Sequence, residues 1–307
     1  MKFSLVIPVF NEQETVPMLF ERCRAALQDF TLGSFEIICV DDGSSDNTLP
    51  LLHHYHLQDN RFKVISLSRN FGHQAAILAG LHHAQGETIA IIDGDLQDPP
   101  EVLSRFYDKI QEGYDVVYAV RKKRKESWLK RTLYWGYYRL LAYLTNNAIP
   151  LDSGDFSMFR RNVLEVMLQM PEQSLFLRGL RAWVGFRQTG VEYERQGRFA
   201  GEPKYTFSKL FKLAYNGIFS FSRLPVAVMG RIGVGVLATG FLYSLWNVYK
   251  KIAYDDVPQG FTAIILLLFL FSGVQLLALG ILGEYVLRIY DETRRRPLFI
   301  VKQKFLS

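Results

Sequence analysis

Short, almost unbroken apolar runs alternate with stretches of helical period through the first 121 residues. FSLVIPVF (3–10), FEIICVDD (35–42), FKVISLS (62–68), TIAIIDGD (88–95) and YDVVYAVR (114–121) read as strands. Residues 14–30, 73–84 and 100–112 read as helices between them. Strands apolar on both faces and separated by helices predict a mostly parallel sheet covered on both sides. In such sheets ligands bind beyond the carboxyl ends of the strands. Polar residues gather there: Asn11 and Glu12, Asp41 and Asp42, Arg69 and Asn70, Asp93 and Asp95.

The pattern changes near residue 226. Residues 232–249 run eighteen positions without a formal charge, and residues 261–283 run twenty-three. A bilayer core of about 30 Å takes ~20 helical residues, so spans are expected at 229–250 and 261–285. The first, shorter and glycine-rich, also fits a buried core helix. Lys and Arg flank the pair on one side, while the 250–260 connector balances two Lys with two Asp. The positive-inside rule then places both termini in the cytosol. Two stretches that mix Trp, Tyr and Leu with Lys and Arg, 128–145 and 205–222, read as interfacial amphipathic helices. The expected organisation is a cytosolic domain over 1–225, a two-helix membrane region over 226–288, and a basic cytosolic tail over 289–307.

Composition sharpens this picture. Apolar residues make up 49% of the chain and aromatics 14%, a balance that favours membrane contact. The net charge of +6 is concentrated: RKKRKESWLKR (121–131) holds seven basic residues against one acidic. With two membrane spans to flank, such runs do not call for nucleic acid. Cys23 and Cys39 read as core thiols of a reducing compartment, and the N-terminal segment lacks the pattern of a cleaved signal. The six histidines lack metal-ligand spacing, and no dinucleotide or P-loop glycine motif occurs.

Two acidic stretches carry the chemistry. VDDGSSDNT (40–48) follows a strand, and an Asx-turn with a helix cap accounts for Ser44, Ser45 and Asp46 but not for both Asp41 and Asp42. IAIIDGDLQDPP (89–100) drives an apolar strand into Asp93, Asp95 and Asp98, where like charges repel. Mg²⁺ and Mn²⁺ take a few carboxylate oxygens plus substrate phosphates, so a metal–diphosphate would relieve that repulsion.

VIPVFNE, VDDGSSDNT, DGDLQDPP, SGDFSMFRR and RFAGEPKYTFSKL, in this order, resemble the inverting family-two glycosyltransferases of α/β GT-A fold, with a Rossmann-like, mostly parallel sheet. The similar subgroup is the polyprenyl-phosphate glycosyltransferases, among them dolichyl-phosphate mannose synthases and bactoprenol glucosyltransferases. The resemblance covers the whole chain. It implies that Pro8, Phe10 and Glu12 line a nucleotide pocket and that Asp41 or Asp42 reads the uracil edge or ribose. Asp93, Asp95 and Gln97 would hold Mg²⁺ or Mn²⁺ and the diphosphate. Asp155 takes the catalytic base position, Arg121 and Arg131 face the lipid phosphate, and Arg198 and Lys204 sit on a basic loop over the phosphates.

The implied reaction moves a sugar, glucose from UDP-glucose first among the candidates, to undecaprenyl phosphate at the cytosolic face of the bacterial inner membrane. Its product would serve O-antigen or cell-envelope glycan modification. A UDP-aminoarabinose derivative, UDP-GlcNAc or GDP-mannose are alternative donors, and a non-catalytic membrane scaffold is the alternative outside enzymes. A homo-oligomer is compatible with all of these. A polymerising synthase is disfavoured by the missing Q-x-x-R-W segment. A phosphate monoester has a second pKa of about 6, so it needs little help to become a nucleophile, and Asp155 is expected mainly to orient the acceptor.

Overall fold

The computed structural model describes residues 2–31, 34–121, 153–170, 172–173, 175–195, 224–254 and 260–306. It forms two compact units, one of residues 1–205 with 296–307 and one of residues 206–295. The interfacial stretches 128–145 and 205–222, together with Arg131, Arg198 and Lys204, lie outside the described residues.

In the first unit, β1 (Phe3–Val9), β2 (Phe35–Asp41), β3 (Phe62–Leu67) and β4 (Thr88–Ile91) are the four leading strands. Helices α1 (Val16–Thr31), α2 (Thr48–Gln58) and α3 (His73–His83) connect them. A 3₁₀ turn at Pro100–Val102 leads into α4 (Leu103–Gln111). The chain then forms β5 (Val116–Arg121), β6 (Ser153–Arg160), α5 (Arg161–Leu168), α6 (Leu177–Trp183), β7 (Gln188–Tyr193) and, last, β8 (Val301–Phe305). The sheet order is β7-β5-β6-β4-β1-β2-β3-β8. Pairing is parallel from β4 through β1 and β2 to β3 and between β5 and β7; β6 and β8 run antiparallel to their neighbours. This is the mostly parallel Rossmann-like core that the apolar runs predict.

Every residue of β1 is buried, because both of its faces are covered. Leu5, Ile7 and Val9 join the core formed with α1 and α4, while Val6 faces the core built around α3. Burial on both faces removes the alternation of a half-exposed strand, which is why these segments read as continuous apolar runs.

The structure corrects several boundaries. β4 ends at Ile91, four residues before the expected limit, because the chain turns at Gly94 against the end of β1. A Cβ on Gly94 would sit 2.8 Å from Val9 Cγ1 and 3.0 Å from the Pro8 carbonyl oxygen, so only glycine fits. Its smallness serves this packing rather than ligand approach alone. α1 starts at Val16, not Glu14, and β5 at Val116. The C-terminal segment, read as a basic tail, contains β8, which pairs antiparallel with β3. Ser68 N–H donates to the Ile300 carbonyl at 2.9 Å, and Phe305 packs on the His53 ring with centroids 4.5 Å apart. Lys302 and Lys304 stay exposed on this edge strand, where charge discourages further strand pairing.

The second unit contains α7 (Leu224–Tyr254) and α8 (Phe261–Arg294). Val228–Lys250 and Leu270–Arg294 are apolar and long enough to cross a membrane, with mean hydropathies of 1.5 and 1.7. Their large side chains, among them Leu237, Phe241, Trp246, Leu276 and Leu282, are exposed, as helices that meet lipid require.

Candidate active site

β1 leads on one side to β2 and β3, while β4 lies on its other side. That reversal opens a crevice beyond the carboxyl ends of β1 and β4, where doubly wound sheets bind ligands. Loops 10–15, 42–47, 68–72 and 92–99 rim it together with the start of β6.

The first two loops are stitched together by Asn11, a non-glycine residue at φ 53°. Its backbone N–H donates to Ser44 Oγ at 2.9 Å, and its side-chain oxygen accepts from Ser45 N–H at 2.8 Å. Asp41 and Asp42, almost fully buried, brace the same region. Asp41 accepts from Ser44 N–H at 3.0 Å and Ser66 Oγ at 3.1 Å. Asp42 accepts from Phe71 and Gly72 N–H groups at 2.8 and 2.9 Å, fixing the turn that starts α3. Burial pushes the Asp42 carboxyl up despite these two bonds. Gly43 closes the crossing: it sits at φ +71°, and a Cβ there would lie 2.6 Å from the Arg69 carbonyl carbon. The doubled acid therefore has a structural explanation that turn chemistry alone lacks. Both carboxylates tie loops, and any contact they make to a nucleotide must use lone pairs left over. Pro8 is buried in β1, Phe10 stands exposed at the rim, and Glu12 accepts from Thr15 Oγ1 at 2.6 Å.

The three acids after β4 part company. Asp98 is buried and accepts a hydrogen bond from the Tyr193 hydroxyl, with Arg195 Nε at 3.4 Å. Burial and the Asp93 charge push the Asp98 carboxyl up. Burial and Asp98 push the Tyr193 hydroxyl up to about 12. Arg121, expected to face a lipid phosphate, donates from Nε to Tyr193 Oη at 3.3 Å. Asp95 Oδ1 accepts from Gln97 N–H at 3.1 Å across Leu96, which adopts φ 55°. A non-glycine residue held in that region is a strained feature of the kind that clusters at functional sites.

Asp93 faces His73, the first residue of α3, whose side chain is 45% exposed and whose Nε2 lies 3.0 Å from Oδ1. Burial raises the Asp93 carboxyl, but the His73 hydrogen bond and the His73, Arg195 and Arg121 charges outweigh it, and the net shift is downward. For His73, burial works against the proton, and the bond to Asp93 with the charges of Asp93 and Asp155 pushes it up to about 9.

Asp155 arrives from the opposite direction. β6 runs antiparallel to β4 with Ile91 opposite Ser157, which brings Asp155 level with Asp93. His73 Nδ1 lies 3.9 Å from Asp155 Oδ2 and so spans the two acids. The same Oδ2 accepts from Gln74 Nε2 at 3.0 Å and Arg178 Nη2 at 3.1 Å. Oδ1 is buried and has no hydrogen-bond partner among the described residues. Arg181, fully buried behind it, donates to the Gly154 carbonyl at 3.2 Å; burial lowers its pKa to about 10 against the pull of Asp155. His73, Gln74, Arg178 and Tyr193 were not legible as site residues. The available signal is the polar pair His73–Gln74 opening a helix that is apolar from Ala75 to Leu81.

Among the described residues no three His, Cys, Asp or Glu side chains converge as a metal cage. Asp93 and Asp95 supply two carboxylates on one strained turn. That donor set does not suit a structural metal. It does suit a cation that takes its remaining oxygens from a bound diphosphate and water.

The glycosyl transferase family 2 model matches residues 4–168. The chain is 44% identical to the uncharacterized glycosyltransferase YkcC of Bacillus subtilis, over 99% of this chain and 94% of that protein. It is 38% identical to the prophage bactoprenol glucosyl transferase homolog of Escherichia coli, over 99% of each. Bactoprenol glucosyl transferase of Shigella phage SfV matches equally, at 38% over 99% of each. With this likeness along its whole length and a GT-A-like core, the chain is a glycosyltransferase and belongs to glycosyl transferase family 2.

Proposed function

We propose that the crevice transfers a sugar, glucose from UDP-glucose as the leading donor, to undecaprenyl phosphate at the cytosolic membrane face, with inversion. The observation that carries this reading is Asp93 and Asp155 meeting across His73 at the switch point, Asp155 with one open oxygen, in a chain with two membrane-length helices. Full-length likeness to proteins named bactoprenol glucosyl transferases supports the lipid acceptor.

In this account an oxygen lone pair of the acceptor phosphate attacks the anomeric carbon. The bond from that carbon to the diphosphate oxygen breaks, and the nucleoside diphosphate leaves. Mg²⁺ or Mn²⁺, when bound, would be held by Asp93 and Asp95, with Gln97 beside them, and would supply positive charge to the leaving diphosphate. Pro8, Phe10 and Glu12 would line the nucleotide side. Asp41 and Asp42 would shape it, with uracil or ribose contact left to their remaining lone pairs. Two anionic substrates repel, so cations must offset the charge. Arg121, Arg131, Arg198 and Lys204 are assigned this task from the sequence. Asp155 Oδ1 would orient the acceptor or stabilise positive charge at the sugar.

The test is a purified-enzyme assay with polyprenyl phosphate, Mg²⁺ or Mn²⁺ and a panel of UDP-glucose, UDP-GlcNAc, a UDP-aminoarabinose derivative and GDP-mannose. Sugar should move into the lipid phase, fastest from UDP-glucose. No transfer from any donor would overturn the reading, and preference for another donor would overturn the glucose assignment.

Topology gives a separate expected result. Asp255→Cys, in the connector outside the described residues, should react with an impermeant maleimide added to intact cells. Gln303→Cys in β8 should react only after the cells are opened. Native Cys23 and Cys39 are buried, with thiols pushed up by burial, and should stay silent. The reverse labelling pattern would contradict a cytosolic crevice.

A further inference from the structure

Gln74 reaches in two directions from the start of α3. Its Oε1 accepts from the Leu177 N–H at 2.9 Å, at the start of α6, and its Nε2 donates to Asp155 Oδ2 at 3.0 Å. Arg178, next along α6, donates to the same oxygen. Two donors from two helices therefore fix one carboxylate oxygen, and the other is left buried and open. A buried acceptor without a partner destabilises a folded protein, so a group left that way at a crevice calls for a ligand.

We propose that Gln74 is a positioning residue for transfer: it clamps Asp155 Oδ2, with Arg178, so that Oδ1 is presented to a donor hydrogen of the bound substrates. The ligand class at Oδ1 is a hydroxyl of the transferred sugar or the protonated oxygen of an acceptor phosphate, both of which bring the missing hydrogen. The inference rests on the reading of Asp155 as a substrate-facing group. It adds that α3 and α6 are tied to the reacting atoms through one amide.

Because the amide accepts on one side and donates on the other, Gln74→Glu separates the two ties. A carboxylate can still accept from Leu177 N–H, but it cannot donate to Asp155 unless protonated. Two carboxyl groups about 3 Å apart share a proton and titrate as a pair well above the ordinary range. The charged groups facing Asp155 are His73, Arg178 and Arg181, with Asp93 behind His73. All remain in the variant, so a pH-dependent difference from wild type traces to the new carboxyl at position 74, acting on Asp155 or on His73, whose Nδ1 lies 3.5 Å from Gln74 Nε2. The titration of the acceptor phosphate is common to both proteins.

Expected for Gln74→Glu is a kcat roughly 10–100-fold below wild type near pH 8, with KM for the nucleotide sugar changed less than about threefold. The ratio to wild type should recover as pH falls toward about 6, as the shared proton returns. Gln74→Ala should lose activity without that recovery. Gln74→Glu matching wild type at every pH would overturn the proposal and leave Gln74 a mere tie to α6. The melting temperature reads the contact without turnover. Gln74→Glu should destabilise more at high pH than at low, and adding Asp155→Asn should remove that difference. A pH-independent effect that Asp155→Asn leaves unchanged would overturn the proposal even for a protein inactive on the panel. Inactivity of wild type alone would instead condemn the assigned reaction.

Discussion

Asp95→Asn is expected to cut sugar transfer by roughly 10²–10³-fold, the size of effect seen when one charge-stabilising group is removed from a preorganised site. The fold should survive the change. Asp95 lies on a partly exposed turn, and the oxygen of an asparagine can still accept from Gln97 N–H at the observed 3.1 Å. The charge that would share a cation with the diphosphate is lost. Asp93 makes a poorer probe, because it also holds His73 in place. An excess of chelator should abolish wild-type transfer, and added Mg²⁺ or Mn²⁺ should restore it. Full activity in excess chelator, or an Asp95→Asn enzyme as fast as wild type, would remove the cation from the account.

Asp155→Asn should cost transfer roughly 10²–10⁴-fold, the range for a positioned group that interacts with a reacting proton. Gln74 and Arg178 both donate to Oδ2, so the asparagine must turn its oxygen toward them and its amide hydrogens toward the place of Oδ1. An acceptor is thereby exchanged for a donor where the substrates lie. A residual rate that rises as pH passes the second ionisation of the acceptor phosphate, about 6, is the expected profile of an orienting group. Initial rates against pH check this. Complete loss of turnover from about pH 6 to 9 with both substrates still bound would assign Asp155 as an obligatory base.

The parallel half of the sheet was legible because burial on both faces leaves its mark in every residue of β1 to β4. β8 was not legible. VKQKF is an edge strand whose pairing partner lies more than two hundred residues away, and three of its five residues are exposed polar groups. The acids after β4 were legible as a site but not in their separate duties. Asp98 is buried beneath Tyr193 and Arg195, a pairing that exists only once β5 and β7 lie side by side. Asp42 looked like a ligand contact because its partners, Phe71 and Gly72, offer only backbone N–H groups, which no side-chain pattern reports. His73 and Gln74 were passed over for a different reason. Their meaning depends on Asp155, eighty-one residues from Gln74 in sequence and brought level with Asp93 by the antiparallel β4–β6 register.

The most direct test of the central claim is the NMR spectrum of the lipid-extracted product made from an α-linked nucleotide sugar. A single displacement by the phosphate oxygen predicts the sugar joined to the polyprenyl phosphate in the β configuration. An α-linked product, or sugar found only in water-soluble form, would contradict direct attack by a lipid phosphate in this crevice.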